Sequence, residues 1–132
     1  YIQSLRSNLD NFKMTSLACP FIDKQEAKSP SKVKVEIDDT QNIAIDFSRQ
    51  IRDEKNLNKT IFHHIGVYGY QKNFLKKYIS LPQTQRELDE KLEQLRILDL
   101  ENIHITCVNN GILGVDTKED LDRVNQIIQE HE

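Results

Sequence analysis

Apolar positions recur along this chain in two periods, and the switches between them mark out its elements. Ile2, Leu5, Leu9 and Phe12 fall on one helical stripe and predict a helix over residues 1–13. Residues 14–20 read as a short buried strand, and a polar connector over 24–31 ends in Ser29-Pro30-Ser31. The period then drops to two. Val33, Val35 and Ile37 alternate with polar residues, as do Ile43, Ile45 and Phe47, with Asp38-Asp39-Thr40-Gln41-Asn42 between the two runs. This predicts a hairpin with one buried face. A charged loop fills 49–59, and 61–70 is β-branched and aromatic, hence a strand. A short helix over 73–80 carries Phe74, Leu75, Tyr78 and Ile79 and is stopped by Pro82. Thr84-x-x-Glu87 is a capping box for a helix running to about residue 99, with Leu88, Leu92 and Leu95 facing in. A strand over 104–108 follows. Thr117-x-x-Asp120 then starts a last helix that runs to near residue 130 on Leu121, Val124 and Ile128. Interspersed helices and strands with one inserted hairpin imply a layered α/β domain.

Composition narrows this only slightly. With 132 residues, 37% hydrophobic and 30% charged, the chain suits one globular domain or part of a larger one. The net charge is −3, and the densest basic group is Lys72, Lys76 and Lys77, which reads as a solvated helix face. Nucleic-acid binding, which needs a clustered basic surface, is not expected. Cys19 and Cys107 lie far apart and in apolar runs, so they read as small core residues in a reducing compartment. No apolar stretch reaches membrane-spanning length, so a cytoplasmic protein without membrane insertion is expected.

Three segments carry chemistry. In His64-Ile65-Gly66-Val67-Tyr68-Gly69-Tyr70, strand alternation puts His64, Gly66, Tyr68 and Tyr70 on one face, and the glycine leaves room over it. In Leu92-Glu93-Gln94-Leu95-Arg96, a turn of about 100° per residue sets Glu93 and Gln94 on the flanks of the core stripe, within reach of a cleft at its edge. In Gly114-Val115-Asp116-Thr117-Lys118-Glu119-Asp120-Leu121, Asp116 ends a loop directly before a helix, where a carboxylate can meet a metal or the helix N-terminus. Taken one at a time, each has an ordinary reading: an amphipathic strand, a helix-surface pair, a helix-terminal charge.

Taken together and in this order, they resemble the 3-deoxy-manno-octulosonate (Kdo) cytidylyltransferases. Upstream, Met14 to Pro20 is similar to that family's Met-Ala-Thr-Leu-Ala-x-Pro strand, Val33-Lys34-Val35 to its Val-Lys-Val strand, and Phe47-Ser48-Arg49 to its Phe-Ser-Arg. The resemblance covers nearly the whole chain. It implies a partial three-layer nucleotide-diphospho-sugar transferase fold of Rossmann-like type, with the hairpin inserted. It implies an enzyme that joins the CMP of CTP to Kdo, an acidic eight-carbon sugar, for lipopolysaccharide assembly. It implies a homodimer that uses Mg2+. By the same resemblance His64, Tyr68, Glu93 and Gln94 line the sugar site, and Asp116 binds magnesium. Arg49 lies near the sugar carboxylate, and Arg52 stands in for a second sugar-site arginine.

The match is to the family's C-terminal half. The N-terminal half, with its Pro-Ala-Arg-x-x-Ser-x-Arg nucleotide loop and a second metal-binding aspartate, has no counterpart in these 132 residues. On this reading the chain alone is inactive. Two other readings stand beside it: a non-catalytic remnant that folds or dimerises, and a cytidylyltransferase for a related acid sugar such as a sialic acid. The His64 to Tyr70 and Leu92 to Arg96 patterns favour Kdo over the latter.

Overall fold

The computed structural model describes residues 2–108 together with Lys118 and Asp122. Its centre is β1 (Met14–Cys19), buried at every position. It is flanked on one side by the antiparallel strand β4 (Ile61–Tyr70) and on the other by the parallel strand β5 (Ile103–Cys107). A strand walled on both faces must be apolar or internally hydrogen-bonded throughout. Met14 and Ala18 face one core, with Val35, Phe47, Leu95 and Ile105, while Leu17 and Cys19 face a smaller one with Leu5 and Ile65. The two polar residues of β1 are satisfied inside: Thr15 donates to the Leu5 carbonyl at 3.0 Å, and Ser16 contacts His64 at 2.8 Å.

The hairpin of β2 (Lys34–Asp38) and β3 (Ile43–Ser48) forms as the alternation predicts, but it is no mere insertion. β2 pairs with the start of β4, and β3 reaches β5 through Ile43 and His104, so the order β1-β4-β2-β3-β5 closes on itself. The predicted inward row Ile43, Ile45, Phe47 is not realised. A one-residue bulge pairs Glu36 with Asp46 and Ile37 with Ala44, leaving Ile45 opposite no partner. The alternation flips there, so that Ala44 is buried and Ile45 is 52% exposed.

The helices are shorter than the periodicity predicts. The first is α1 (Ile2–Ser7) with a single 3-10 turn over Asn8–Asp10, after which the Gln71 side chain takes up the Leu9 carbonyl at 2.7 Å. Residues 24–31 hold a short α2 (Lys24–Ala27), capped by Asp23, whose side chain accepts from the Glu26 amide. α3 (Lys72–Ser80) buries Phe74 and leaves Ile79 exposed. The helix predicted from Thr84 to about residue 99 is two pieces, α4 (Gln85–Glu90) and α5 (Leu95–Leu98), separated by Lys91 in the left-handed conformation. Leu88, placed inside by a continuous helix, is therefore 50% exposed. Cys107 is exposed rather than core, and both described cysteines are free.

Gly69 is required by a close approach. It pairs with Thr15, and a Cβ there would lie 2.6 Å from the Thr15 hydroxyl and 3.3 Å from Leu9. Gly69→Ala is expected to lower the unfolding free energy by about 1–3 kcal/mol, the usual cost of overpacking. Gly66→Ala, with open space around its Cβ, is the control. Urea midpoints measured on both would refute this packing if the two variants lost equal stability.

Candidate functional site

The register of β4 against β1 breaks between Ser16, which pairs with Tyr68, and Leu17, which pairs with Ile65. Gly66 and Val67 are thus extra residues on β4. Because the insertion is of two, the side-chain alternation survives it. His64, Tyr68 and Tyr70 stay on one face, as the sequence predicts, with ring centroids 5.6 Å apart for His64 and Tyr68 and 6.0 Å for Tyr68 and Tyr70. The bulge pushes Gly66 and Val67 outward, into a cleft of about 470 Å³. Its second wall is the turn 91–94, which brings Glu93 and Gln94 opposite His64 and Tyr68. Four of the six predicted sugar-site residues therefore share one cleft, although they come from segments far apart in sequence. Its third wall is residues 31–33, where the polar connector runs into the first strand of the hairpin.

His64 is fixed deep in the β4 wall of the cleft. Its Nε2 lies 2.8 Å from the Ser16 hydroxyl, and its ring packs edge-on against Phe47 at 4.9 Å. Burial, and secondarily the charge of His63, push its pKa down to about 3, so the ring is neutral at neutral pH. Burial likewise holds the Tyr68 phenol far above its ordinary value and raises Tyr70 to about 12. Both phenols keep their protons and can donate.

The 91–94 turn is held by residues that periodicity did not single out. Arg96 grips Glu87 with two parallel bonds, Nε to Oε1 at 2.8 Å and Nη2 to Oε2 at 2.6 Å. These bonds, more than any other cause, hold the Glu87 carboxyl below the usual range. The same guanidinium lies 5.0 Å over the Tyr78 ring, and the Tyr78 hydroxyl donates to the Glu93 carbonyl at 2.9 Å. Residues 87 and 96 are nine apart. On a continuous helix at about 100° per residue they would point to opposite sides. The break at Lys91 is what lets them meet. Thr84 still caps α4, but the Glu87 side chain is spent on Arg96.

Arg49 and Arg52 do not line the cleft. The Arg49 guanidinium donates to the carbonyls of Glu90 at 2.9 Å, Pro30 at 3.1 Å and Lys91 at 3.2 Å. Arg52 pairs with Asp46 at 3.0 Å, an acid that also holds Arg86. The cationic side chains that do line the cleft are Lys32 and Lys91. Lys34, which strand alternation places on the wet face, is instead buried; its ammonium donates to the Ser29 and Arg49 carbonyls at 2.8 and 2.7 Å, and burial lowers its pKa to about 8. Asp116 lies outside the described residues, and among the described residues no group of three or more His, Cys, Asp or Glu side chains is placed to hold a metal. No helix among them is long and apolar enough to cross a membrane.

The cytidylyltransferase family pattern matches residues 2–105. The chain is 38% identical to a 3-deoxy-manno-octulosonate cytidylyltransferase of Fusobacterium nucleatum, over 98% of this chain and 54% of that protein. It is 36% identical to the enzyme of the same name from Tolumonas auensis, over 96% of this chain and 55% of that one. Among solved structures it is similar to CMP:2-keto-3-deoxy-manno-octonic acid synthetase complexed with CTP, with a TM-score of 0.83 and 31% identity, covering 99% of this chain and 56% of that chain. The chain thus spans about half the length of the curated relatives it matches.

Proposed function

The chain belongs to the cytidylyltransferase family, and from that premise we propose that it is the sugar-binding, C-terminal half of a 3-deoxy-manno-octulosonate cytidylyltransferase. The whole enzyme, a homodimer with a three-layer fold, takes CTP and Kdo to CMP-Kdo and pyrophosphate. The observation that carries this reading is the cleft in which His64, Tyr68, Glu93 and Gln94 converge. A polyhydroxylated acid needs neutral donors and acceptors set close together and a cation for its carboxylate. Tyr68 and Gln94 supply donors, Glu93 accepts from hydroxyls, and Lys32 and Lys91 bring positive charge to the rim. Arg49 then acts by holding two walls of the cleft, and Arg52 by bracing the hairpin through Asp46.

In the reaction a sugar hydroxyl attacks the α-phosphate of CTP, and negative charge grows on phosphate oxygens. A magnesium ion, when bound, offsets that charge; Asp116 is the residue of this chain that we assign to hold it. The residues described here orient the sugar so that its hydroxyl meets the phosphate in line. The nucleotide loop belongs to the other half, so this chain by itself is expected to make no CMP-Kdo.

The test pairs this chain with an N-terminal half from a relative. His64→Ala, Tyr68→Phe and Gln94→Ala should each raise KM for Kdo, lower kcat, or both, by about 10–100-fold, the cost of losing one or two polar contacts. CTP binding, measured separately by calorimetry, should hold within about twofold. If CTP affinity falls in step with Kdo affinity, the cleft is not a sugar site.

A further inference from the structure

We propose that Ser16 fixes the proton of His64 on Nε2, so that His64 meets the acidic sugar through an unprotonated Nδ1, as an acceptor for a sugar hydroxyl and not as a cation for the carboxylate. The part played by the sugar rests on the function proposed above; the part played by Ser16 stands on geometry alone.

The Ser16 hydroxyl is fully buried, and three groups surround its Oγ: His64 Nε2 at 2.8 Å, the Val67 carbonyl at 2.9 Å and the Ile65 carbonyl at 3.2 Å. A hydroxyl has one proton, and a carbonyl oxygen can only accept. If Ser16 gave its proton to His64, two carbonyl oxygens would face the bare oxygen of a fully buried hydroxyl, and the Ile65 carbonyl would lose a donor inside the protein. If the proton goes to the nearer Val67 carbonyl, with the Ile65 carbonyl as the weaker arm of a shared bond, a lone pair of Oγ turns to His64. The ring must then donate from Nε2.

The bulge in β4 is what produces this crowding. Carbonyls two residues apart in a regular strand are separated by about 6.6 Å, too far for one hydroxyl to serve both well. Gly66 and Val67, as inserted residues, draw the two carbonyls onto Ser16. The same insertion that opens the cleft therefore sets the hydrogen-bonding sense of the histidine at its base. A second proton on Nδ1 would place a full charge inside this buried pocket beside His63, which burial opposes. The cations for the sugar carboxylate are then the rim lysines, Lys32 and Lys91.

Long-range proton–nitrogen NMR on the nitrogen-15-labelled chain at pH 7 reads this directly, with the His64 signals assigned from their loss in His64→Gln. Nε2 should show the shift of a protonated ring nitrogen and Nδ1 that of an unprotonated one. The reverse pattern, or an imidazolium pattern, overturns the proposal without any variant having to fold. Ser16→Thr, which keeps a hydroxyl, should preserve the pattern, and Ser16→Ala should move both shifts to intermediate, exchange-averaged values. An unchanged pattern in Ser16→Ala removes the role of Ser16. Addition of Kdo should displace the Nδ1 resonance. If the tautomer is as stated but saturating Kdo moves no His64 signal, the contact with sugar is refuted and the control of the proton by Ser16 is upheld.

Discussion

Arg96→Ala is expected to lower the unfolding free energy by about 3–5 kcal/mol, the loss that follows when one partner of a buried ion pair is removed and the other is left behind. The Glu87 side chain is 4% exposed and that of Arg96 13%, so water can do little to rescue the abandoned carboxylate. Arg96 also packs over Tyr78, so the variant gives up a stacking contact as well. The companion variant carrying both Glu87→Leu and Arg96→Met replaces the pair by apolar groups of similar size and should recover most of the loss. Urea unfolding of the three proteins tests this. A deficit below about 1 kcal/mol in Arg96→Ala would mean that the pair behaves as an exposed one. The variant should also blunt ligand binding in the cleft, because the pair holds α4 against α5 and so shapes the turn that carries Glu93 and Gln94.

Stability should fall steeply on acidification, by roughly 1.36 kcal/mol for each pH unit below the ordinary histidine value, because of His64. The sign follows from where the proton binds. Unfolded His64 takes up a proton near 6.5, whereas in the fold burial delays uptake to about 3. Between those values the unfolded state binds more protons, so the contribution is whole above 6.5 and is progressively lost as pH falls towards 3. By pH 4 the loss reaches roughly 3 kcal/mol, a large share of a small domain's stability. His63 and Glu26, 3.7 Å apart, form a second ionisable pair, so the comparison must be with His64→Gln, which leaves that pair in place. The Gln side chain keeps a donor for Ser16 but has no proton to gain. Denaturant midpoints from pH 7.5 to 4 should converge for the two proteins as pH drops. Parallel curves would show that His64 carries no such penalty.

Local patterns were legible where burial alone decides them. β4 runs over the residues that its composition marks out, and the hairpin and the Thr84 cap are where alternation and capping chemistry put them. What could not be read is whatever depends on a partner distant in the chain. Ile45 has the right period to face inward and is turned out by a register shift against β2. Leu88 continues a helical stripe that ends two residues later, because a buried Glu87 must reach Arg96. α2 was within reach, since Asp23-x-x-Glu26 is a capping pattern inside a stretch otherwise read as connector. For the cleft, alternation placed His64 with Tyr68, but nothing local set them opposite Glu93 and Gln94. The resemblance to a family supplied that pairing. Ser16, deep in β1, had no pattern of its own to announce it.

Arg49 makes the cleft a pre-shaped receptor rather than one that a ligand must gather. A single flat guanidinium spans from the Pro30 carbonyl on one rim to the Glu90 and Lys91 carbonyls on the other. Its donors are rigidly disposed, so the separation of the rims is set by the reach of one side chain before anything binds. A ligand entering such a space meets little ordering cost for bringing the walls together, and more of each contact remains as affinity. Discrimination then falls to shape: a ring too large for the gap is excluded by the fixed rims, and one too small leaves polar groups unpaired on both.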